Sequence, residues 1–276
     1  MNFNILLYFC PMFQKVYIFL LVTVILVVSY SCNNYKKILK TGNNDLKYET
    51  AIDLYENGDF NKAIQFFDLL RATYRGTDKG EMLTYYSANS YFQTKNYNIA
   101  AYYYKQYVQM YPRGDKAEEA GFMSAFCHYM DSPRSTLDQS ATYIALTELQ
   151  LFIDMFPEST KVEEANRLMD NLRAKLETKS YDISKLFYRM EDYQAAITSF
   201  EILLDDYPDT DYKEEILYYI TMSYYDYAEK SIYSKRTERY EKAIESYSNL
   251  LYLYPESKYL KDASNANDDA KKRLNN

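Results

Sequence analysis

An alanine stands twelve residues before a turn position five times along this chain. Ala63, Ala100, Ala145, Ala196 and Ala243 precede Arg75, Pro112, Pro157, Pro208 and Pro255. Four residues after each alanine comes a large apolar side chain: Phe67, Tyr104, Leu149, Phe200 and Tyr247. Three before it stands an aromatic in Phe60, Tyr97, Tyr193 and Tyr240, with Thr142 the exception. Side chains four apart share one helix face, so the small residue admits a neighbouring helix and the large one fills the gap beside it. The residue before a proline is pushed out of the α region, so each Tyr-Pro or Phe-Pro pair closes its helix. Counting back nine from the alanine reaches Leu54, Tyr91 and Phe187, and counting back twelve reaches Ala51, Ala88 and Ser184. Each unit therefore carries two helices. A chain with this register folds as stacked helical hairpins.

The composition agrees. Six glycines, six prolines and 34 tyrosines in 276 residues leave few sharp turns and many bulky, polar-tipped rings suited to helix–helix interfaces. The pattern resembles the tetratricopeptide repeat, a helix pair of about 34 residues that stacks into a solenoid. The fold class expected is all-α, a solenoid of about five hairpins with one extended linking helix. The anchors, counted at 75, 112, 157, 208 and 255, are spaced 37, 45, 51 and 47 apart. The 8 residues by which the second spacing exceeds the first fall at 131–138, a turn-rich loop. The 14 of the third fall within 161–184, which lacks Gly and Pro and reads as continuous helix. The 10 of the fourth fall at 230–237, expected as a second loop. The expected organisation is residues 1–31 as a signal segment, 32–43 as a polar tether, 44–158 as about three repeats, and 159–274 as about two repeats with the linking helix and an end helix.

Residues 16–29 form an apolar run of 14 behind Lys15, short of the roughly 20 that span a bilayer and right for a signal-peptide core. Val28-Ser29-Tyr30-Ser31-Cys32 resembles a bacterial lipobox, in which the cysteine is acylated and becomes the mature amino terminus. Cys32 is thus the expected lipidation site, and Met12 the expected start of translation. Acyl chains contribute about 0.8 kcal/mol per buried methylene, enough for two to hold a protein on a membrane. With Cys32 acylated, Cys127 has no partner and is expected as a buried thiol.

The formal net charge is −7. An acidic surface excludes nucleic acid as the main partner, which needs a basic patch for counterion release. No Gly-rich phosphate loop or nucleophile elbow is present. The single histidine, His128, occupies the core position matched by Tyr91, and Cys127 lies about 100° from it around a helix. The acidic pairs Glu118-Glu119, Glu163-Glu164 and Glu214-Glu215 fall in first turns, where they complement the helix dipole. No catalytic, metal or cofactor site is expected beyond the covalent lipid on Cys32.

From Cys32 to about Tyr259 the chain resembles the BamD family, the tetratricopeptide lipoproteins of the outer-membrane β-barrel assembly machinery. The most specific stretch runs Tyr181-Asp182-Ile183-Ser184-Lys185-Leu186-Phe187-Tyr188 to Tyr193, then Leu204-Asp205-Asp206-Tyr207-Pro208-Asp209-Thr210. The run 131–139 looks like the form of that loop in Bacteroidetes members. The resemblance implies a lipid-anchored scaffold on the periplasmic face of the outer membrane. Its early repeats would receive unfolded outer-membrane proteins, and its later ones would grip the periplasmic domains of the barrel insertase, BamA. In such repeats the first helices line the concave face, which makes Tyr48, Ile52, Tyr55, Met82, Tyr85, Asn89 and Phe92 the peptide-groove candidates. Two other readings stand beside this one: a periplasmic adaptor in envelope maintenance or division, and, less favoured, a glycan-binding lipoprotein.

Overall fold

The computed structural model describes residues 35–275. The signal segment 1–31 and the acylation candidate Cys32 lie outside those residues. The helices run α1 (Asn44–Glu56), α2 (Phe60–Leu70), α3 (Asp78–Gln93), α4 (Tyr97–Met110), α5 (Ala117–Asp131), α6 (Ser140–Met155), α7 (Val162–Arg189), α8 (Tyr193–Asp206), α9 (Lys213–Glu229), α10 (Tyr233–Leu253) and α11 (Leu260–Leu274). No strand occurs among the described residues, so the chain is all-α as its register requires. It divides into two compact units, one reaching to Asp131 and including Glu148–Lys161, the other comprising Ser132–Thr147 with everything from Val162 on.

The anchors act as the sequence predicts. Tyr111, Phe156, Tyr207 and Tyr254 each donate their backbone N–H to the carbonyl four residues back, at 2.8–2.9 Å, and the proline that follows ends the helix. Asn43, Thr77 and Asp192 cap α1, α3 and α8 by accepting from the backbone N–H three residues on. The five register alanines are 0–1% exposed, and Phe67, Tyr104, Leu149 and Phe200 beside them are equally buried. Tyr247 in the last hairpin is only half-buried.

The turns inside three hairpins share a feature that only the first one signals. Gly58, Lys95 and Glu191 occupy the same register position, five before the alanine, with φ of 77°, 60° and 64°. The next residue in each, Asp59, Asn96 and Asp192, donates its N–H to Leu54, Tyr91 and Phe187. This left-handed closure satisfies carbonyls that a helix end leaves free, and glycine adopts it with least strain.

The long linking helix is present as expected: α7 runs unbroken for 28 residues. The loop at 132–139 is also present, and it is tied down. Gln139 donates to the carbonyls of Arg134 and Leu137, both at 2.9 Å. From α7, Lys175 reaches the Ser132 hydroxyl at 2.7 Å and Lys179 reaches the Leu137 carbonyl at 2.7 Å.

Two expectations need correction. Of the segment 230–237, only Lys230–Ile232 forms a turn, and α10 begins at Tyr233. No Gly or Pro interrupts the segment, and Arg236 folds back to donate to the carbonyls of Ser231 and Glu229, at 2.9 and 3.2 Å. An insertion that caps the preceding helix and continues as helix leaves no carbonyl unpaired. Part of the segment expected as a polar tether, 32–43, is also structured. Residues 35–39 are helical, and Tyr35, Ile38 and Leu39, spaced along one face, pack against the core of the first hairpin.

Candidate functional site

The groove candidates come together in the first unit, but at different depths. Tyr48, Ile52 and Tyr55 share one face of α1, half-buried against the cluster built on Ala51, Ala63, Phe66, Phe67 and Leu70. Tyr48 meets Tyr74 edge-on at 5.8 Å, with the Lys79 ammonium 4.9 Å above its ring. Tyr55 stacks on Tyr86 at 4.3 Å and donates its hydroxyl to Asn89 Oδ1 at 3.1 Å. Asn89 in turn donates through Nδ2 to the Tyr104 hydroxyl at 3.3 Å. The amide therefore bridges two tyrosines, fixing α1, α3 and α4 together, and keeps little hydrogen-bonding capacity for a ligand. Burial comes first and the charges of Tyr86 and Glu119 second in raising the Tyr55 phenol to about 12, so it stays a neutral donor.

Tyr85 is only 6% exposed. Its ring meets those of Tyr104 and Tyr107 edge-on, each at 5.8 Å. Phe92 is half-buried against Tyr97 and Phe126. Met82 is the most open of the seven, at 37%. The solvent-facing strip is thus Met82 with the outer faces of Tyr48, Ile52, Tyr55 and Phe92. The depth of each of these side chains depends on its neighbours across the hairpins.

The acidic first turns do more than complement helix dipoles. Burial pushes the Glu119 carboxyl up, and bonds from Lys116 and Tyr85 outweigh it, so its pKa falls below the ordinary value. Glu215 repeats the arrangement in the second unit: burial raises it, and Tyr181 and Lys185 more than reverse the shift. Lys116 lies 2.9 Å from Glu119, and Lys185 3.0 Å from Glu215. Tyr85 and Tyr181 both stand fifteen residues before a register alanine and Glu119 and Glu215 nineteen after the same one, so the Tyr–Glu pair of positions recurs between successive first helices, with the lysine drawn from a different position each time. The recurrence of both positions was the available signal, and the dipole reading of the acids hid it.

Cys127 is buried and free, with its thiol pushed up to about 12 by burial. His128 is half-buried, and burial lowers its pKa, Lys105 adding to the fall while Glu148 and Asp131 oppose it. A histidine whose folded pKa lies below its unfolded value of 6.5 contributes stability above that value and loses it as pH falls through the interval between the two. The melting temperature is therefore expected to drop between pH 7 and pH 5 more steeply in the wild-type protein than in His128→Gln. Equal slopes would show that His128 is solvated in solution. Among the described residues, no cluster of three or more His, Cys, Asp or Glu could hold a metal ion. No helix among them is long and apolar enough to cross a membrane.

Comparison with known proteins places this architecture. The model of the YfiO family, described as an outer membrane lipoprotein, matches residues 41–238. The outer membrane protein assembly factor BamD of Caulobacter vibrioides is 21% identical over 180 residues, which cover 65% of this chain and 59% of the relative. The protein of the same name from Rickettsia prowazekii is 23% identical over 177 residues, 64% of this chain and 70% of its own length. That from Pasteurella multocida is 23% identical over 195 residues, 64% and 75% respectively. The match thus spans only about six-tenths of the first of these relatives. Because the family match runs unbroken from the residues before α1 into α10, well over half of the sequence, this chain belongs to the YfiO family of outer membrane lipoproteins.

Proposed function

We propose that this protein is a lipid-anchored, non-catalytic scaffold for the assembly of β-barrel proteins at the periplasmic face of the outer membrane. The observation that carries the reading is the continuous family match over 41–238, joined to relatives named outer membrane protein assembly factors. In this reading Cys32 carries the lipid. It stands three residues before Tyr35, which packs against the first hairpin, and three residues of chain reach at most roughly 10 Å. The anchor would therefore hold the first hairpin against the bilayer surface rather than on a long leash. The strip formed by Met82, Phe92 and the outer faces of Tyr48, Ile52 and Tyr55 receives unfolded barrel segments. The later hairpins engage the periplasmic domains of the insertase.

Three experiments test this. An acylated, tagged protein is expected to co-purify with the barrel insertase, and its depletion to lower outer-membrane barrel content while peptidoglycan stays unchanged. Failure to recover the insertase, or a peptidoglycan defect instead, would favour an envelope adaptor. For the groove, a photocrosslinker at Met82 or Phe92 is expected to label nascent barrel protein at least fivefold more strongly than one at the exposed Tyr102 of α4. Equal labelling would remove the strip from the reading and leave the scaffold role standing.

A further inference from the structure

The arm that leads into α1 is charged oppositely to the body it joins. Residues 33–47 hold four lysines and one acid, whereas 48–276 hold 27 lysines and arginines against 38 acids. A short basic arm on an acidic protein points to an anionic partner for the arm. The one acid, Asp45, is already taken by Lys79, whose ammonium lies 2.7 Å from its carboxylate. Among the described residues, no carboxylate pairs with Lys36, Lys37 or Lys40.

The fold holds these three cations outward. Residues 35–39 are helical, and Thr41 closes the segment by donating its hydroxyl and its backbone N–H to the Ile38 carbonyl, at 2.9 and 3.0 Å. At about 100° per residue, Tyr35, Ile38 and Leu39 fall in one arc, and Lys36, Lys37 and Lys40 in another on roughly the opposite side. The apolar arc packs against the first hairpin, where the Lys62 ammonium lies 5.6 Å from the Tyr35 ring centroid. The three lysines are exposed.

Residue type and position select the partner. A lysine ammonium is a compact point charge on a flexible stem, without the rigid fork by which arginine clasps a single carboxylate or phosphate. Flexible point charges spread over one face suit a fluid array of phosphates better than one fixed anion. Lys36 stands four residues after Cys32, and four residues of chain reach at most roughly 14 Å. On the reading of Cys32 as the lipid carrier, on which this inference rests, the lysines therefore lie close to the bilayer. We propose that Lys36, Lys37 and Lys40 form a docking surface for anionic phospholipid headgroups. The lipid tethers the chain, and the lysines set which side of the first hairpin faces the membrane.

The test separates the lysines from the lipid. The mature chain, residues 32–276, is prepared as Cys32→Ser, so that no acyl chain contributes. It is floated with vesicles of phosphatidylcholine alone, or of phosphatidylcholine and phosphatidylglycerol in equal parts. Each lysine at an anionic surface strengthens partitioning about fivefold, so the anionic vesicles are expected to bind at least tenfold more tightly than the neutral ones. Salt at about 1 M, where the screening length is about 3 Å, is expected to remove the preference. Lys36→Glu, Lys37→Glu and Lys40→Glu together should abolish it without lowering the melting temperature, since these side chains are exposed and unpaired. The same charge reversal on α11, Lys261→Glu with Lys271→Glu and Lys272→Glu, should weaken it less than threefold. Equal binding to both vesicles, full binding by the first triple variant, or equal loss in the two triple variants would overturn the proposal. Displacement from the anionic vesicles by micromolar octaglutamate would overturn it in favour of an acidic protein segment. The anchor is judged apart, by whether the wild-type protein purified from membranes floats with the neutral vesicles. Failure there would remove the lipid from Cys32 and leave the result for the lysines standing.

Discussion

Phe200→Ala is expected to destabilise the second unit by about 3–5 kcal/mol, the range for deleting a fully buried aromatic ring. The size of the effect follows from the register. Phe200 lies four residues after Ala196, and both are completely buried. Its ring is parallel to that of Tyr219, 5.6 Å away with 3° between planes, and tilts against Tyr181 at 6.4 Å. It therefore fills the gap among α7, α8 and α9, and alanine would leave a cavity that three helices would have to collapse into. The equivalent residue of the last hairpin, Tyr247, is half-buried. Tyr247→Ala should thus cost less than half as much. A chain with two compact units need not melt in one step, so the measurement is amide hydrogen exchange across α8 and α9. Comparable losses in both variants, or a loss below about 1 kcal/mol in Phe200→Ala, would show that the register does not set packing depth.

That comparison separates what the sequence carries from what it hides. The alanine-plus-four pairs, the Tyr-Pro and Phe-Pro stops and the uninterrupted α7 are local rules, each visible within a dozen residues. The turn geometry was only partly visible. Gly58 announces a left-handed residue, whereas Lys95 and Glu191 take the same conformation because the helices on either side impose it. The segment after α9 misled because extra length suggests a loop, when the physical question is whether its carbonyls find partners; Arg236 supplies them. The candidate site shows the same division. Periodicity groups Tyr85 and Asn89 with the other groove candidates and says nothing of their depth. Their burial and internal bonding come from Glu119, Tyr55 and Tyr104, residues up to 34 positions away that no local pattern ties to them.

Gly80→Ala is expected to cost about 1–3 kcal/mol or more, the usual range for forcing added volume into a tightly packed place. Taken alone, intrinsic propensity argues the opposite, since alanine in a helix is favoured over glycine by about 1 kcal/mol. The structure explains why propensity loses. A Cβ on Gly80 would lie 2.0 Å from the Tyr74 carbonyl oxygen and 2.8 Å from its carbon, both backbone atoms, and 3.3 Å from the Tyr111 hydroxyl. The chain after α2 doubles back through Gly76, with φ of 78°, and Thr77 then caps α3 by accepting from the Gly80 N–H at 3.2 Å. Relief of the clash means moving that turn, which carries Tyr74 against Tyr48 and its hydroxyl to Asp45 at 3.0 Å. Gly42 supplies the control, since nothing lies within 4 Å of its Cβ position and its φ is not positive. Gly42→Ala should be neutral or stabilising by about 0.4–1 kcal/mol through the unfolded chain. Denaturant midpoints of the two variants, read with the exchange rates of α3, decide the matter. If both glycines tolerate alanine within about 0.5 kcal/mol, the turn at 74–77 is looser than the close approach at Gly80 requires, and the junction between the first two hairpins is held by side-chain packing alone.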